Sequence, residues 1–170
     1  VIAILFAGTT TLQIFDVATG SKSYEMTVTG PWKLQMGDRD EWKDREFDDS
    51  SWKTAATAAA WESQGYPNYD GMGWYRTHVK IPATPWKKVE GIILDVGQID
   101  DDDSTYFNGR LIGRTSGWQK TRTYTIPESA IQWDDDNVIS IQVSDGGGGG
   151  GMYGGTVKLR SGFMNNFDYE

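Results

Sequence analysis

Histidine occurs once in this 170-residue sequence, as His78, and cysteine does not occur. A Ser-His-Asp relay would have to run through His78, and multi-histidine or thiolate metal sites cannot be assembled. His78 stands in the alternating run Arg76-Thr-His-Val-Lys80, where no motif places a serine beside it. It reads as a structural or surface residue. Acidic side chains number 24 against 16 Lys and Arg, a formal charge of −8. Carboxylate pairs at glycosidase spacing, about 5–10 Å, arise by chance among so many and are no evidence alone. Two acidic runs, residues 100–103 and 134–136, are dense enough to suggest calcium, which takes several hard oxygens from one loop. The first fails the EF-hand spacing, because its sixth position is Thr105 rather than glycine. Both runs are read as solvated turns, with Asp103 capping the strand that follows and a structural calcium as the alternative. No other cofactor is implied. The glycine run at 146–151 has neither a following Gly-Lys-Ser/Thr nor a helix behind it, which excludes a phosphate cradle. Six residues without side chains are either a mobile loop or a place where the backbone passes close to another group.

Aromatic residues remain. The chain has 8 Trp and 8 Tyr beside 21 Gly, a composition suited to a loop-rich β-protein that stacks flat ligands. Trp61, Tyr66, Tyr69, Trp118 and Tyr153 lie in segments flanked by Gly, Pro, Asn or Asp. A sugar ring offers an apolar C–H face and a rim of hydroxyls; a loop aromatic matches the first and polar side chains the second. Gly117-Trp118-Gln-Lys-Thr-Arg122 combines both in one loop, and Glu62 and Asp70 adjoin Trp61 and Tyr69 in sequence. These eight residues, Trp61, Glu62, Tyr66, Tyr69, Asp70, Trp118, Arg122 and Tyr153, form the candidate ligand-binding set. For each aromatic the competing reading is packing against its own sheet. The acidic balance argues against binding nucleic acid or anionic lipid.

The elements that must position these residues are short strands. Residues 12–17 and 24–28 alternate around a turn and read as a hairpin; further strands are expected near residues 32–36, 75–81, 91–96, 104–107, 110–112, 123–126, 138–143 and 156–159. Asn108-Gly109 is a two-residue hairpin signal. The alanine-dense residues 53–62 read as a short helix, and residues 129–132 as one turn. Residues 1–8 are too short for a membrane span. They read as a signal-peptide remnant, a buried strand or a strand given to a neighbouring subunit. The expected fold is all-β, an antiparallel β-sandwich: a hairpin region at 1–29, a single domain at 30–160 and a C-terminal tail at 161–170.

From Gly30 onward the order of motifs resembles the sugar-binding jelly roll of glycoside hydrolase family 2, most closely the version inserted in bacterial sialate O-acetylesterase-like proteins. The blocks are Phe47-Asp-Asp-Ser-Ser-Trp52, Trp61-Glu62, Tyr69-Asp-Gly-Met-Gly-Trp-Tyr-Arg76, Val96-Gly-Gln-Ile-Asp-Asp-Asp-Asp103, Tyr106-Phe-Asn-Gly109, Ile112-Gly113, Gly117-Trp118, Arg122-Thr-Tyr-Thr-Ile-Pro127, Asn137-Val-Ile-Ser-Ile-Gln-Val-Ser-Asp145 and the glycine run at 146–151. The resemblance implies a galactose-binding-like jelly roll with Trp32, Trp52 and Trp74 in its core. Arg76 should pair with a carboxylate such as Asp70 or Asp103. It also implies that catalysis belongs to other domains, since the esterase's Gly-Asp-Ser and Asp-x-x-His blocks are missing. The expected function is non-catalytic recognition of a neutral or basic carbohydrate by a secreted or cell-surface module. The alternative is a structural accessory domain beside a catalytic domain, or a subunit self-associating through apolar termini.

Overall fold

The computed structural model describes residues 2–5, 11–16, 21–89 and 91–161. The strands in chain order begin with β1 (Ile2–Leu5), β2 (Thr11–Asp16), β3 (Ser21–Thr27), β4 (Trp32–Met36) and β5 (Lys53–Ala55). The middle of the chain gives β6 (Gly71–Lys80), β7 (Ile92–Asp100), β8 (Asp102–Phe107) and β9 (Arg110–Ser116). The last four are β10 (Thr121–Ile126), β11 (Asp136–Asp145), β12 (Gly151–Gly154) and β13 (Lys158–Ser161). One sheet runs β1-β2-β3-β13-β7-β10, with β12 also paired to β7; the other runs β5-β4-β6-β11-β8-β9. Every pairing is antiparallel. The fold is therefore the expected all-β sandwich. Among the described residues no helix is long and apolar enough to cross a membrane.

Period-two alternation fills the space between the sheets. Leu94, Val96 and Ile99 of β7, Ile139, Ile141 and Val143 of β11, and Leu34, Phe107 and Leu159 are all buried there. A second cluster lies on the outer face of the β6–β11 sheet, where residues 37–52 fold back across it. Trp42 meets Trp52 and Trp74 edge-on (ring centroids 5.1 and 6.3 Å), and Trp74 stacks on Tyr106 at 5.6 Å. Trp32, Trp52 and Trp74 are thus all buried, as the family resemblance implied. Beneath that flap sits Arg76, whose partner is Asp49 (Nε to Oδ2, 2.9 Å) rather than Asp70 or Asp103. Arg76 also donates to the Asp44 and Phe47 carbonyls (3.1 and 3.2 Å), so one buried cation holds the covering segment down.

Two local expectations change. Residues 53–62 are not a helix: β5 pairs with β4 (Trp32 opposite Ala55), and a 3-10 turn begins at Trp61. The one turn expected at 129–132 is a 3-10 turn at Glu128–Ala130. Asn108 and Gly109 take φ of 49° and 79° and close the β8–β9 hairpin.

The glycine run is a close approach. A Cβ on Gly150 would stand 2.3 Å from the Trp61 ring and 2.7 Å from Asp145 Oδ2. Gly150→Ala is therefore expected to lower stability by about 1–3 kcal/mol. Urea unfolding measures this; an unchanged midpoint would mean that the loop is not seated on Trp61.

Candidate functional site

The topology gathers the ends of six strands at one edge of the sandwich: the starts of β6, β8 and β10 and the ends of β7, β9 and β11. The loops there carry six of the candidate residues, with Arg122 in β10 and Tyr153 in β12. They divide into a buried support and an exposed rim.

Trp61 belongs to the support, with no exposed surface. Its Nε1 donates to the Tyr69 carbonyl (3.1 Å), its backbone N–H to the Gly150 carbonyl (3.0 Å), and its ring meets Tyr69 edge-on at 5.7 Å. The expectation that Trp61 is a stacking platform is corrected: the glycine run lies over its ring, leaving no face for a ligand. Tyr69 is half-buried and donates its hydroxyl to the Met72 carbonyl (2.9 Å). The Gly150 N–H donates to both Glu62 carboxylate oxygens (3.2 Å each). Tyr66 is partly buried beneath the Lys53 ammonium, 4.8 Å from the ring centroid, and Asp70 is exposed.

Arg122 is corrected in the same way. It is fully buried and shares no surface with solvent, so it cannot meet a sugar hydroxyl. Its Nε donates to Asp103 Oδ1 (2.9 Å), its Nη1 to the carbonyls of Gly117 (3.0 Å) and Lys120, and its Nη2 to the Asp101 carbonyl (2.7 Å). Asp103 does not cap a strand; besides Arg122 it accepts from the Thr105 hydroxyl (2.7 Å) and from Tyr124 (2.8 Å). This pair holds residues 117–120 in place. On that loop stands Trp118, 50% exposed, and Tyr153 of β12 donates its hydroxyl to the Trp118 carbonyl. Trp118 is the more exposed of the two large apolar side chains that face solvent among the described residues, the other being Leu111.

Beside this rim the outer faces of β6, β8, β9 and β11 form a shallow trough of about 190 Å3, lined by Met72, Asp102, Ser104, Arg114, Ser116, Gln142 and Ser144. Arg114 Nε donates to Ser104 Oγ (3.0 Å), and the Gly117 N–H to Asp102 Oδ1 (3.0 Å), so the Trp118 loop starts at the trough's edge. Its lining combines donors (Arg114, Gln142), an acceptor (Asp102) and hydroxyls that can do both, as hydroxyl recognition requires. Apart from Asp102, which belongs to the acidic run, the sequence does not mark these polar residues, although each occupies an outward position in its strand.

His78 is remote from this edge, on the outer face of β6, with Nδ1 2.6 Å from Asp136 Oδ2 and Nε2 3.3 Å from Asp49 Oδ2. Asp100, Asp101 and Asp145 do meet at the edge, with one oxygen of each within 4.8 Å of the others. Burial, a hydrogen bond with Asp101 and the charges of Asp101 and Asp145 push the Asp100 carboxyl up to about 6, against a smaller opposing pull from Arg122. The sign follows. An acid raised on folding costs stability while it is ionised above pH 6, and the cost disappears as pH falls toward 4. In chelating buffer, Asp100→Asn should therefore be more stable than the parent at neutral pH, with the gap closing on acidification. A gap independent of pH in urea melts would contradict this.

A family model described as the beta-galactosidase second all-beta domain matches residues 37–149. The chain belongs to that family. The domain is also similar to solved glycoside hydrolase structures. Beta-glucuronidase 2 of Bacteroides uniformis, covalently bound to cyclophellitol-6-carboxylate aziridine, is 25% identical with a TM-score of 0.72, over 82% of this domain and 18% of that chain. A glycosyl hydrolase family 2 member from Bacteroides cellulosilyticus is 21% identical, with a TM-score of 0.69 over 83% of this domain and 21% of that chain. A Ruminococcus gnavus beta-glucuronidase in complex with D-glucaro-d-lactam is 15% identical, with a TM-score of 0.70 over 82% and 29%. The last two show the shared fold. No curated protein matches. The domain spans about a fifth of the length of the first of these relatives; of the eight candidate residues all but Tyr153 lie within the family match.

Proposed function

We propose that this chain is a non-catalytic carbohydrate-recognition domain, part of a secreted or surface glycan-processing system of bacterial type. Its sugar stacks on Trp118 while side chains of the neighbouring trough take the hydroxyls. The observation that carries the reading is the half-exposed Trp118 ring, held at the sandwich edge by a buried Arg122 whose Nη1 donates to the loop carbonyls of Gly117 and Lys120. An exposed indole on a prearranged loop loses little entropy on binding. Tyr153 steadies the loop, and Glu62, Tyr66, Tyr69 and Asp70 form the supporting flank. The net charge of −8 favours neutral or basic glycans over sulfated or uronic-acid polymers. The sequence blocks point more narrowly to the version of this module found in sialate O-acetylesterase-like proteins. A glycan array probed with the purified chain tests the reading, and a hit retained by Trp118→Ala would sink it.

A second reading has its own observation. An open recess of about 560 Å3 lies on another side of the sandwich, where Val28, Pro31, Trp32, Ala55, Ala56 and Val157 contribute apolar surface. In this reading the recess docks a catalytic domain of the longer protein, and the chain is a buttress. Of the apolar termini offered for self-association, residues 1, 6–10 and 162–170 lie outside the described residues. Light scattering during size exclusion separates the readings: a monomer that binds glycan supports recognition, while an assembly without glycan binding supports docking.

A further inference from the structure

We propose that Asp100, Asp101 and Asp145 form a binding site for a divalent cation of the calcium class, joining the β7–β8 turn to the glycine run. The three carboxylates come from two separate chain segments, and one oxygen of each lies within 4.8 Å of the others. A calcium ion at about 2.3–2.6 Å from each oxygen requires donors no more than about 5 Å apart. Magnesium, at about 2.0–2.1 Å, would need them closer and in near-octahedral order. The donor set is all oxygen, which suits a hard cation and gives a softer metal nothing to select.

Independent of the clustering, one of these carboxylates is incomplete. Alternation along β11 puts Asp145 on the inner face after Ile139, Ile141 and Val143, and it is only 4% exposed. Its Oδ1 accepts from the Gly147 N–H (3.0 Å), but its Oδ2 has no hydrogen-bond partner. A buried, unpartnered carboxylate oxygen is costly, and a cation is the ligand that would satisfy it. The surroundings add negative charge: burial raises the Asp145 carboxyl against the opposing Gly147 N–H, and the charges of Asp101, Asp70 and Glu62 raise it further. Arg122, whose charge acts on Asp100, is already paired with Asp103. Asp101 is held ready by the Gly146 N–H, which donates to its Oδ2 (3.0 Å). A bound ion would tie down the loop that covers Trp61, independently of whether a sugar binds at Trp118.

The test is calcium titration of the chelator-stripped full chain, by calorimetry and by thermal melting. One saturable site and a higher melting temperature in calcium are expected, with a smaller response to magnesium. Asp145→Asn and Asp101→Asn should each weaken calcium binding by at least about tenfold. Asp135→Asn, in the acidic turn at the opposite end of β11, should leave it unchanged. If Asp145→Asn does not fold, the partly exposed Asp101→Asn decides. No saturable calcium binding, or undiminished binding in Asp101→Asn, overturns the proposal.

Discussion

Arg122→Met should lower stability by about 3–5 kcal/mol, because it leaves the Asp103 carboxylate buried and without its cation. Both side chains are fully buried. The loss goes beyond one ion pair: five further groups lean on this arginine or its partner, the Thr105 hydroxyl on Asp103 among them. The carbonyls of Gly117, Lys120 and Asp101 lose their guanidinium donors, and Tyr124 is left bonded to an unpaired carboxylate. Methionine retains the stem's packing, so the measured change reports charge and hydrogen bonding rather than a cavity. Replacing Asp103 by leucine in the same chain should recover part of the loss, since removing both charges is far less harmful than stranding one. Urea unfolding of the two single variants and the double variant supplies the cycle. A loss below about 1 kcal/mol for Arg122→Met would mean that solvent reaches this pair, as at exposed salt bridges.

Trp118→Ala should do the reverse, leaving stability within about 0.5 kcal/mol of the parent and removing glycan binding. The ring is half exposed, so truncation opens no cavity and strands no polar group. Its carbonyl, which accepts from Tyr153, is retained by alanine. For the ligand the ring is the central apolar contact, and losing such an anchor costs at least about 2 kcal/mol, about 30-fold in affinity. Phenylalanine at 118 should recover part of the binding, because it keeps a smaller stacking face. The same substitution at 61 would be uninformative for binding: Trp61→Ala removes a fully buried ring and costs about 3–5 kcal/mol of folding energy first.

Much of the frame could be read from the chain. Apolar residues on alternate positions marked β7, β11 and β13, and Asn108-Gly109 marked the β8–β9 hairpin, because both signals are local. Where long-range contacts decide, the reading failed. Alanine density in residues 53–62 favours a helix, yet Ala55 pairs with Trp32, and the Gln64 side chain bonds the backbone N–H of Ala56 and the carbonyls of Ala56 and Ala59. A side chain eight residues away thus satisfies backbone groups that a helix would have paired internally. Arg76 presents a similar case. Sequence offers it many carboxylates; Asp49 is chosen because Trp42, Trp52 and Trp74 fasten the intervening segment over the sheet. At the candidate edge, Trp118 is legible as a loop aromatic, Tyr153 falls in β12 instead of a loop, and Asp145 is not legible as part of a carboxylate cluster. It reads as the end of a core-facing strand until the fold carries Asp100 and Asp101 beside it.

The most direct test of the account is a glycan array probed in parallel with the parent chain and Trp118→Ala, both shown to be folded and monomeric. A hit among neutral or amino-sugar glycans is expected to disappear in the variant while its unfolding midpoint stays the same. Equal binding by both chains, or no binding by a folded monomeric parent, would contradict it.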